Sequence, residues 1–460
     1  VGAIYTYQDF EDYRDAGKLQ DFVRLVINAH KASAAYKTAV IADEYDAERN
    51  RTILEFSREI FTANGGKMQD ETASNMKLTC NLFARLNIQR CTYSLGNGVT
   101  FQAKGVKDKL GPKADKRLYT AGYYGLIHGM SFLYWAYDHI HVFKLTEFAP
   151  LENETTSDLG AGVRFWQIAA DKPLYATLYA PEGYIDYVGQ DGSTGDLRPV
   201  QDDFQAYRMT ITSTPATTGD VLTAHNYSSL PIVPLYGNRL HQSTLVGMRS
   251  KIDAYDLVQS GFANDMQDCA QIYWLIGGAG GMTEKDLSKF RQRLLYRHIA
   301  TVNGDDVTVT PYTQEIPYTA RETLLTRIKA QVYEDFGGLD VHTISAGATN
   351  DHIDAAYQPM DENADDFEGQ VTEAIQKLLE LQGVRADDAE PQYKRNRISN
   401  QYEQVQMLAL EAPYLDDETI LKKLPNVSNE EVEKILKQKS AEELGRIQTP
   451  VSGVNEGGEA

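Results

Sequence analysis

Apolar positions along this chain change period several times, and each change predicts a different element. From Tyr13 to about Ile60 they recur at helical spacing, with Phe22, Leu25, Val26 and Ala29 on one side. Ser74 to Ile88 continues that helical character. Arg90 to Ala103 then reads as strand, Gly-Asn-Gly turn, strand. Residues 118–137 predict a buried helix running into a strand. From His139 to about Pro234, Val, Tyr, Thr and Phe dominate between glycines and prolines. HIHVFKLTEF, GVRFWQIA, LYATLYA and YRMTITS are the strands of a sheet or sandwich, and Pro231 and Pro234 end the zone.

The second half is organised differently. From Gln242 to Ala270, Leu245, Met248, Ile252, Tyr255, Phe262, Met266 and Cys269 fall at alternating steps of three and four, with Gln259 the polar exception. At ~1.5 Å per residue this helix would be roughly 40 Å long. A short α/β module follows: strand IYWLIGG, a glycine turn, helix TEKDLSKFRQRL, and strands near LYRHIATV and DVTVTPY. Pro317 opens another helix with Leu325, Ile328, Val332 and Phe336 on one face, stopped by Gly337-Gly338. A loop of small and polar residues comes next (Thr343, Ser345, Ala346, Gly347, Ala348, Thr349). Near Asn350 an acidic helix begins, carrying Phe367, Val371, Ile375, Leu378 and Leu379. Helix, small polar loop and acidic helix suit a channel lining better than a core. Arg385 to Tyr393 is a polar connector. Asn396 to Leu410 and Asp416 to Lys439 are further helical patterns, with Ser428 and Glu431 as a capping box. The tail after Thr449 has the composition of a disordered segment. The fold class is α+β, as about three domains or one intertwined body.

Composition narrows the partners. Apolar residues make up 42% of the 460, enough for a core. The 45 Lys and Arg against 65 Asp and Glu give a formal charge of −20. Such a balance disfavours a tight wrapper of nucleic acid, which neutralises phosphates with bases. It suits a surface past which a polyanion slides without adhering. Three cysteines, Cys80, Cys91 and Cys269, form neither a disulfide framework nor a zinc spacing, so a reducing compartment is expected. No basic segment followed by an apolar one marks a secretory signal. The longest apolar stretch, Gly122 to Tyr137, contains His128 and is shorter than the ~20 residues of a membrane span, so no membrane is expected. An opening Val1 in place of Met is expected of a processed or shortened chain.

No motif for catalysis stands out. Gly277 to Gly281 follows a strand and precedes a helix, but Met282-Thr283 stands where a phosphate loop needs Lys and Ser/Thr, so a turn is expected. His139 and His141 share one strand face without a third ligand cluster, and neither a metal nor a cofactor is expected. Asp191 to Asp196 lacks the Ca²⁺-loop pattern. An acidic, Tyr-rich, β-containing chain is compatible with a soluble acidic hydrolase of glycosidase type, although no acid and base are singled out. The run Asp361, Glu362, Asp365, Asp366, Glu368 has no intervening base. It is either a solvated face or a negative rim facing a conduit. Lys285, Lys289, Arg291, Arg293 and Arg297 against Asp286 make a basic stretch, either solvated or a docking surface for an acidic partner.

The wording of several segments resembles one family. SNMKLTCNLFARLNIQRCTYSLGNGVTFQ, GAGVRFWQI, LPIVPLYGN, LVGMRSKIDAYDLVQSGFANDMQD (Ile252-Asp253-Ala254-Tyr255 above all), GATNDHIDAAYQPMDENADDFE and RNRISNQYEQVQMLALEAPYLDDETILKKLPNVSNEEVEKI follow, in order, the segments of long-tailed phage portal proteins. The branch it resembles is common in siphophages of Gram-positive hosts.

The resemblance implies a portal fold. Residues 1–241 would be the α/β wing, 242–270 and 317–337 the stem helices, 271–316 the clip and 338–350 the tunnel loop. Residues 351–385 would be the long wing helix, 386–448 a helical crown and 449–460 a disordered tail. Thr343, Ser345, Ala346, Gly347, Thr349 and Asn350 would face DNA. Leu245, Met248, Ile252, Tyr255, Phe262, Met266, Leu325, Ile328 and Val332 would pack the stem. It further implies a homo-oligomeric ring, usually of twelve, at one capsid vertex. Double-stranded DNA would pass through it without sequence specificity during packaging and ejection. The terminase large subunit and then head-tail adaptor proteins would dock at the clip, with major capsid and scaffolding proteins alongside. Such a protein is not an enzyme. It is assembled in the host cytoplasm and resides in the virion.

Overall fold

The computed structural model describes residues 4–61, 66–69, 74–212, 221–269, 273–277, 308–312, 318–341 and 349–397, with scattered positions between 283 and 289 and between 408 and 438. The chain divides into two bodies. One comprises residues 1–338 and 366–394, the other 339–365 and 395–460.

The first body opens with four helices, α1 (Tyr7–Asp15), α2 (Leu19–Ala32), α3 (Ala34–Asp46) and α4 (Arg51–Glu55). Thr6 caps α1 through a capping box with Asp9. The buried face of α2 is Phe22, Val23, Val26 and Ile27, while Leu25 is exposed and Ala29 half-buried. The expected stripe through Leu25 and Ala29 was therefore rotated. Its true centre lies toward Val23 and Ile27, which pack on a sheet. A short hairpin, β1 (Glu59–Phe61) and β2 (Lys67–Gln69), follows.

Residues 74–81 belong to no helix or strand, and helix α5 runs Leu82–Leu95. Arg90 to Leu95, expected as a strand, is thus the end of α5. Cys91, Tyr93, Ser94 and Leu95 are buried, while Gln89 and Thr92 continue the more exposed side begun by Arg85 and Ile88, so the helical period crosses the boundary drawn at Arg90. Gly96 caps α5, and Gly98 takes a positive φ of 71° before strand β3 (Val99–Phe101). Helix α6 (Ala114–His128) and strand β4 (Met130–Ala136) fall where the sequence placed a helix running into a strand.

The β zone is a five-stranded antiparallel meander and a three-stranded sheet. The meander has the order β10-β9-β8-β7-β6, built from β6 (Phe148–Glu152), β7 (Leu159–Trp166), β8 (Leu174–Ala180), β9 (Gly183–Gly189) and β10 (Arg198–Pro199). The first two helices cover it with Phe10, Phe22, Val23, Val26 and Ile27 against Val163, Phe165, Ala176, Leu178 and Ile185. The smaller sheet has the order β13-β4-β5, with β5 (His139–Lys144) and β13 (Ile232–Tyr236). Pro234 lies inside β13 rather than after the β zone. That strand bonds only to β4, so the missing N–H falls on an edge. A further hairpin joins β11 (Arg208–Thr212) and β12 (Val221–His225).

Three more helices are described: α7 (Arg249–Cys269), α8 (Tyr318–Phe336) and α9 (Asn350–Glu380). Between α7 and α8, strand β14 (Tyr273–Gly277) pairs antiparallel with β15 (Thr308–Tyr312). Phe367, Val371, Ile375, Leu378 and Leu379 of α9 are buried with Leu118, Ala121, Leu133 and Trp135, as their spacing predicted. The expected polar connector 385–393 contains a strand, β16 (Pro391–Tyr393), which pairs with β3. In the second body Ile353, Tyr357, Met360 and Ala364 of α9 are buried. The predicted helices after Asn396 lie almost wholly outside the described residues, as do Ser428 with Glu431 and the tail after Thr449.

Candidate functional site

The polar face of α7 is the least expected feature of the chain. Asp256, Ser260 and Asn264 recur every fourth residue and are buried. Beside them lies the segment 74–80. Asp256 Oδ1 accepts from Cys80 N at 2.9 Å, Ser260 Oγ from Leu78 N at 2.9 Å, and Asn264 Oδ1 from Met76 N at 2.5 Å. Ser260 Oγ and Asn264 Nδ2 also donate to the carbonyls of Leu78 and Met76. The two repeats are commensurate: four helical residues rise about 6.0 Å, and two extended residues about 6.6 Å. Side chains on a helix thus do for this strap what a neighbouring strand does in a sheet. Asn50 closes the upper rung, giving its amide to Asp256 Oδ2 at 2.5 Å and to the Cys80 carbonyl at 3.1 Å. Burial raises the Asp256 carboxyl, against the bonds from Asn50 and Cys80 that lower it. Burial beside Asp256 pushes the Cys80 thiol up to about 12.

Other contacts pin the start of α7. Thr52 Oγ1 donates to Asp253 at 2.7 Å, and the Tyr45 hydroxyl donates to the same carboxylate. Leu245, Met248 and Ile252 are buried beside Tyr45, Phe83, Leu86, Val332, Tyr333 and Phe336, with Tyr255 and Ile328 packed against this group. Within the single chain, the stripe expected on α7 is buried at its start and not at its end. Phe262 and Leu325 are only half-buried, Met266 is 58% exposed, and the Cys269 side chain lies outside the described residues. Beyond Ile252 the inward face belongs to Asp256, Ser260 and Asn264. The i, i+4, i+8 recurrence of small polar residues was the available signal.

Helix α8 packs along α7 and is joined to it by Lys251–Asp335 and Arg321–Asp265 ion pairs. Its C-terminus stops where the sequence placed it, with Gly337 at a φ of 64° and Gly338 N donating to Tyr333 O at 2.9 Å. Arg90 of α5 donates to the Phe336 carbonyl and lies 4.1 Å over the Phe336 ring. A cation at this end complements the helix dipole. Burial lowers the Arg90 guanidinium to about 10.

Of the basic stretch, Lys285 and Lys289 are exposed, and Thr283 N and Oγ1 both donate to Asp286 Oδ2 in a local cap. Arg291, Arg293 and Arg297 lie outside the described residues, as does most of Gly277 to Gly281. So do Thr343, Ser345, Ala346 and Gly347. Thr349 is exposed, and Asn350 begins α9 as expected. The acidic run is less bare than its sequence suggested. Arg395 pairs with Asp361 at 2.9 Å and also with Asp365, and Arg397 pairs with Asp361 and with Asp354. Asp366 accepts from Arg239 N, Glu368 is buried, and Glu362 is exposed. The compensating bases come some thirty residues later in the chain, where a reading of the helix alone does not look.

Comparison with known proteins decides the family. Residues 26–444 match the family described as phage portal protein, SPP1 Gp6-like. The chain belongs to this family of phage portal proteins. A portal protein of Clostridium phage phiCD119 is 30% identical over 222 residues, which is 46% of this chain and 49% of that relative. The chain thus spans about half the length of the curated relative it matches. Among solved structures, a chain of the virion of a native gene transfer agent particle aligns over 77% of this chain and 89% of its own, at 11% identity and a TM-score of 0.38. A chain from the neck of that native particle, computed with C12 symmetry, covers 75% and 89% at 10% identity and a TM-score of 0.41. These likenesses are too loose to place individual residues.

Family membership takes the place of the acidic-hydrolase alternative. Several histidines of the portal chain have close carboxylate or ring neighbours. His128 Nε2 lies 2.8 Å from Asp43 Oδ1. Burial pushes Asp43 up, but the hydrogen bond and charge of His128 outweigh it and leave the carboxyl below its ordinary value. The His139 and His141 rings are 4.7 Å apart, with His139 Nδ1 held by Asp138 at 2.6 Å. Among the described residues no group of three His, Cys, Asp or Glu could hold a metal, and no helix is long and apolar enough to cross a membrane.

Proposed function

We propose that this chain is the subunit of a ring at one capsid vertex, through which double-stranded DNA enters during packaging and leaves at ejection. Family membership supports the role. The observation that carries the ring is the outer surface of the α7–α8 pair. Met266, Tyr318 and Leu324 stay 58%, 63% and 45% exposed, on helices whose inner faces are already filled. Neighbouring copies cover such residues in a heterologous ring.

In this reading α7 and α8 are the stem and residues 271–316 the clip. The clip docks the packaging terminase first and head-completion proteins afterwards, with Lys285 and Lys289 among its contacts. Residues 338–350 line the tunnel, and residues after 386 form the crown. The channel holds DNA by geometry and not by adhesion: an overall charge of −20 per chain repels phosphate. The chain contributes a conduit and docking surfaces, and the energy of packaging comes from a partner.

The test is the native mass of the purified protein, by mass photometry with negative-stain imaging. Twelve copies of a 51.5 kDa chain weigh about 620 kDa. Ring-shaped particles near that mass are expected. Persistent monomers, both alone and with capsid and scaffolding proteins, would refute the proposal.

A further inference from the structure

The loop and helix start from Lys104 to Arg117 are basic within an acidic chain. This stretch holds Lys104, Lys107, Lys109, Lys113, Lys116 and Arg117 against Asp108 and Asp115. Lys107 is committed internally: its Nζ donates to Asp115 at 2.8 Å and to the Val99 carbonyl at 2.9 Å. Lys104, Lys109, Lys113 and Lys116 are exposed and, among the described residues, make no ion pair. Acids on neighbouring elements are Asp138, in the same recess, and Asp387, Asp388 and Glu390, ahead of Pro391. Asp138 is held by His139. Glu390 precedes Pro391, whose strand pairs with Phe101. Leu110, Val106, Ala114 and Leu118 anchor the stretch in the core, so its lysines are displayed by a fixed surface.

We infer that Lys104, Lys109, Lys113 and Lys116 form a second contact for duplex DNA, separate from the tunnel elements, which grips the phosphate backbone without reading sequence. The inference rests on the proposed conduit role for the presence of DNA. Its direct support is charge complementarity. Protein–protein interfaces are depleted in Lys and built around apolar or aromatic anchors. Here Tyr137, on the adjoining turn, is the large exposed hydrophobic nearby, at 65%. Lysine tips on flexible stems instead suit phosphates, which they neutralise as point charges. The net negative charge of the chain does not cancel the patch, because at ~0.1 M salt charges beyond about 10 Å are largely screened. The recess beside the patch, about 490 Å³, is lined by Asp108, Asp115 and Asp138 as well as Lys107 and Lys113. Its mixed charge leaves the phosphate contacts to the lysines displayed outside it.

The experiment uses the full chain, in whatever assembly its recorded mass shows, and closed circular duplex, which cannot thread a channel. Each neutralised phosphate contributes a slope of about −0.9 in log K against log salt, so four lysines give about −3.5. Wild-type binding should weaken about a hundredfold between roughly 50 and 200 mM salt. K109E/K113E/K116E should lose binding at least tenfold at the lower salt and flatten the slope to about −1. The matched control K18E/K37E/K172E, with equal charge change at exposed sites elsewhere, should keep both. Native mass is recorded for every variant. Absence of wild-type binding, or equal loss in the control, overturns the inference while leaving the ring standing. Loss of assembly in K109E/K113E/K116E alone also overturns it, by assigning the patch to an acidic face of a second copy. A wild type that never forms rings refutes the conduit reading separately, since the comparison of variants on circular duplex does not depend on it.

Discussion

Asp256→Ala is the sharpest test of how the stem helix is held. The change removes the acceptor for Cys80 N and for the Asn50 amide. Each buried donor left without a partner costs about 1–3 kcal/mol, and relief of the buried charge offsets part of that. The net loss should be about 2–4 kcal/mol, confined to the junction of residues 74–80 with α7. Unfolding of a chain with two bodies is not two-state, so a local readout is needed. Amide hydrogen exchange supplies it: 2–4 kcal/mol corresponds to exchange at Met76, Leu78 and Cys80 about thirty- to several-hundredfold faster.

A graded series strengthens the test. Leu78 and Met76 are 37% and 46% exposed, so water can replace the lost partner at their amides. Ser260→Ala and Asn264→Ala should therefore cost about 1 kcal/mol or less. Asp256→Asn should fall between. Asn50 Oδ1 is buried without a partner, so its amide can rotate to accept from the new Asn, but then it loses the Cys80 carbonyl. If exchange at Met76, Leu78 and Cys80 is unchanged in Asp256→Ala, or if Asn264→Ala exceeds it, the ladder does not hold the strap and the reasoning fails.

Three further outcomes are expected. Gly237→Ala would place a Cβ 2.2 Å from the Gly125 carbonyl oxygen; the obstacle is backbone, so a loss of about 3 kcal/mol is expected as a lower calorimetric midpoint, and an unchanged midpoint contradicts the close approach. Asp43 titrates below its ordinary value, so its stabilisation is complete above about pH 4 and is lost as pH falls through the lower folded value; Asp43→Asn should be less stable at neutral pH and lose less on acidification, and parallel pH profiles would argue against the His128 pairing. Deleting Thr343 to Asn350 should impair DNA packaging or retention with ring mass unchanged, whereas failure to assemble would make that segment structural.

What the sequence revealed depended on whether one face of each element stayed polar. The strands from His139 to Tyr236 were legible from Val, Tyr, Thr and Phe between glycines and prolines, and the buried stripe of α9 from its helical spacing. Helix α5 was misread over Arg90 to Leu95 because most of that short stretch is buried and the Gly-Asn-Gly turn after it suggested a hairpin, although Gln89 and Thr92 continue the side of Arg85 and Ile88. The strand Pro391–Tyr393 was missed because three residues paired with a distant strand carry no local pattern. Helix α7 was half legible. A heptad search rewards apolar residues, and it passed over Asp256, Ser260 and Asn264 to select Phe262, half-buried beneath Arg321, and Met266, which is exposed. Arg395 and Arg397 escaped for another reason: the acids they neutralise lie on a helix that ends before either base appears.

The ladder also bears on how a stem helix can move. An apolar interface tolerates small slides, since dispersion contacts exchange gradually. A rung of paired N–H and carbonyl groups does not. Sliding the strap by one residue presents the wrong edge of the backbone to all three side chains. Sliding it by two, about 6.6 Å, restores alignment but leaves one terminal rung without a partner. The segment 74–80 therefore has discrete positions on α7 rather than a continuum, and the clamp at Asn50 and Asp256 selects one of them. The upper half of α7 is fixed further by Tyr45 and Thr52 on Asp253, while its lower end, at Met266, stays exposed. Motion along this helix must also break the pairing of Asp265 with Arg58 and Arg321 at that end. It reaches the strap only by breaking a whole rung, which makes the strap a threshold rather than a spring.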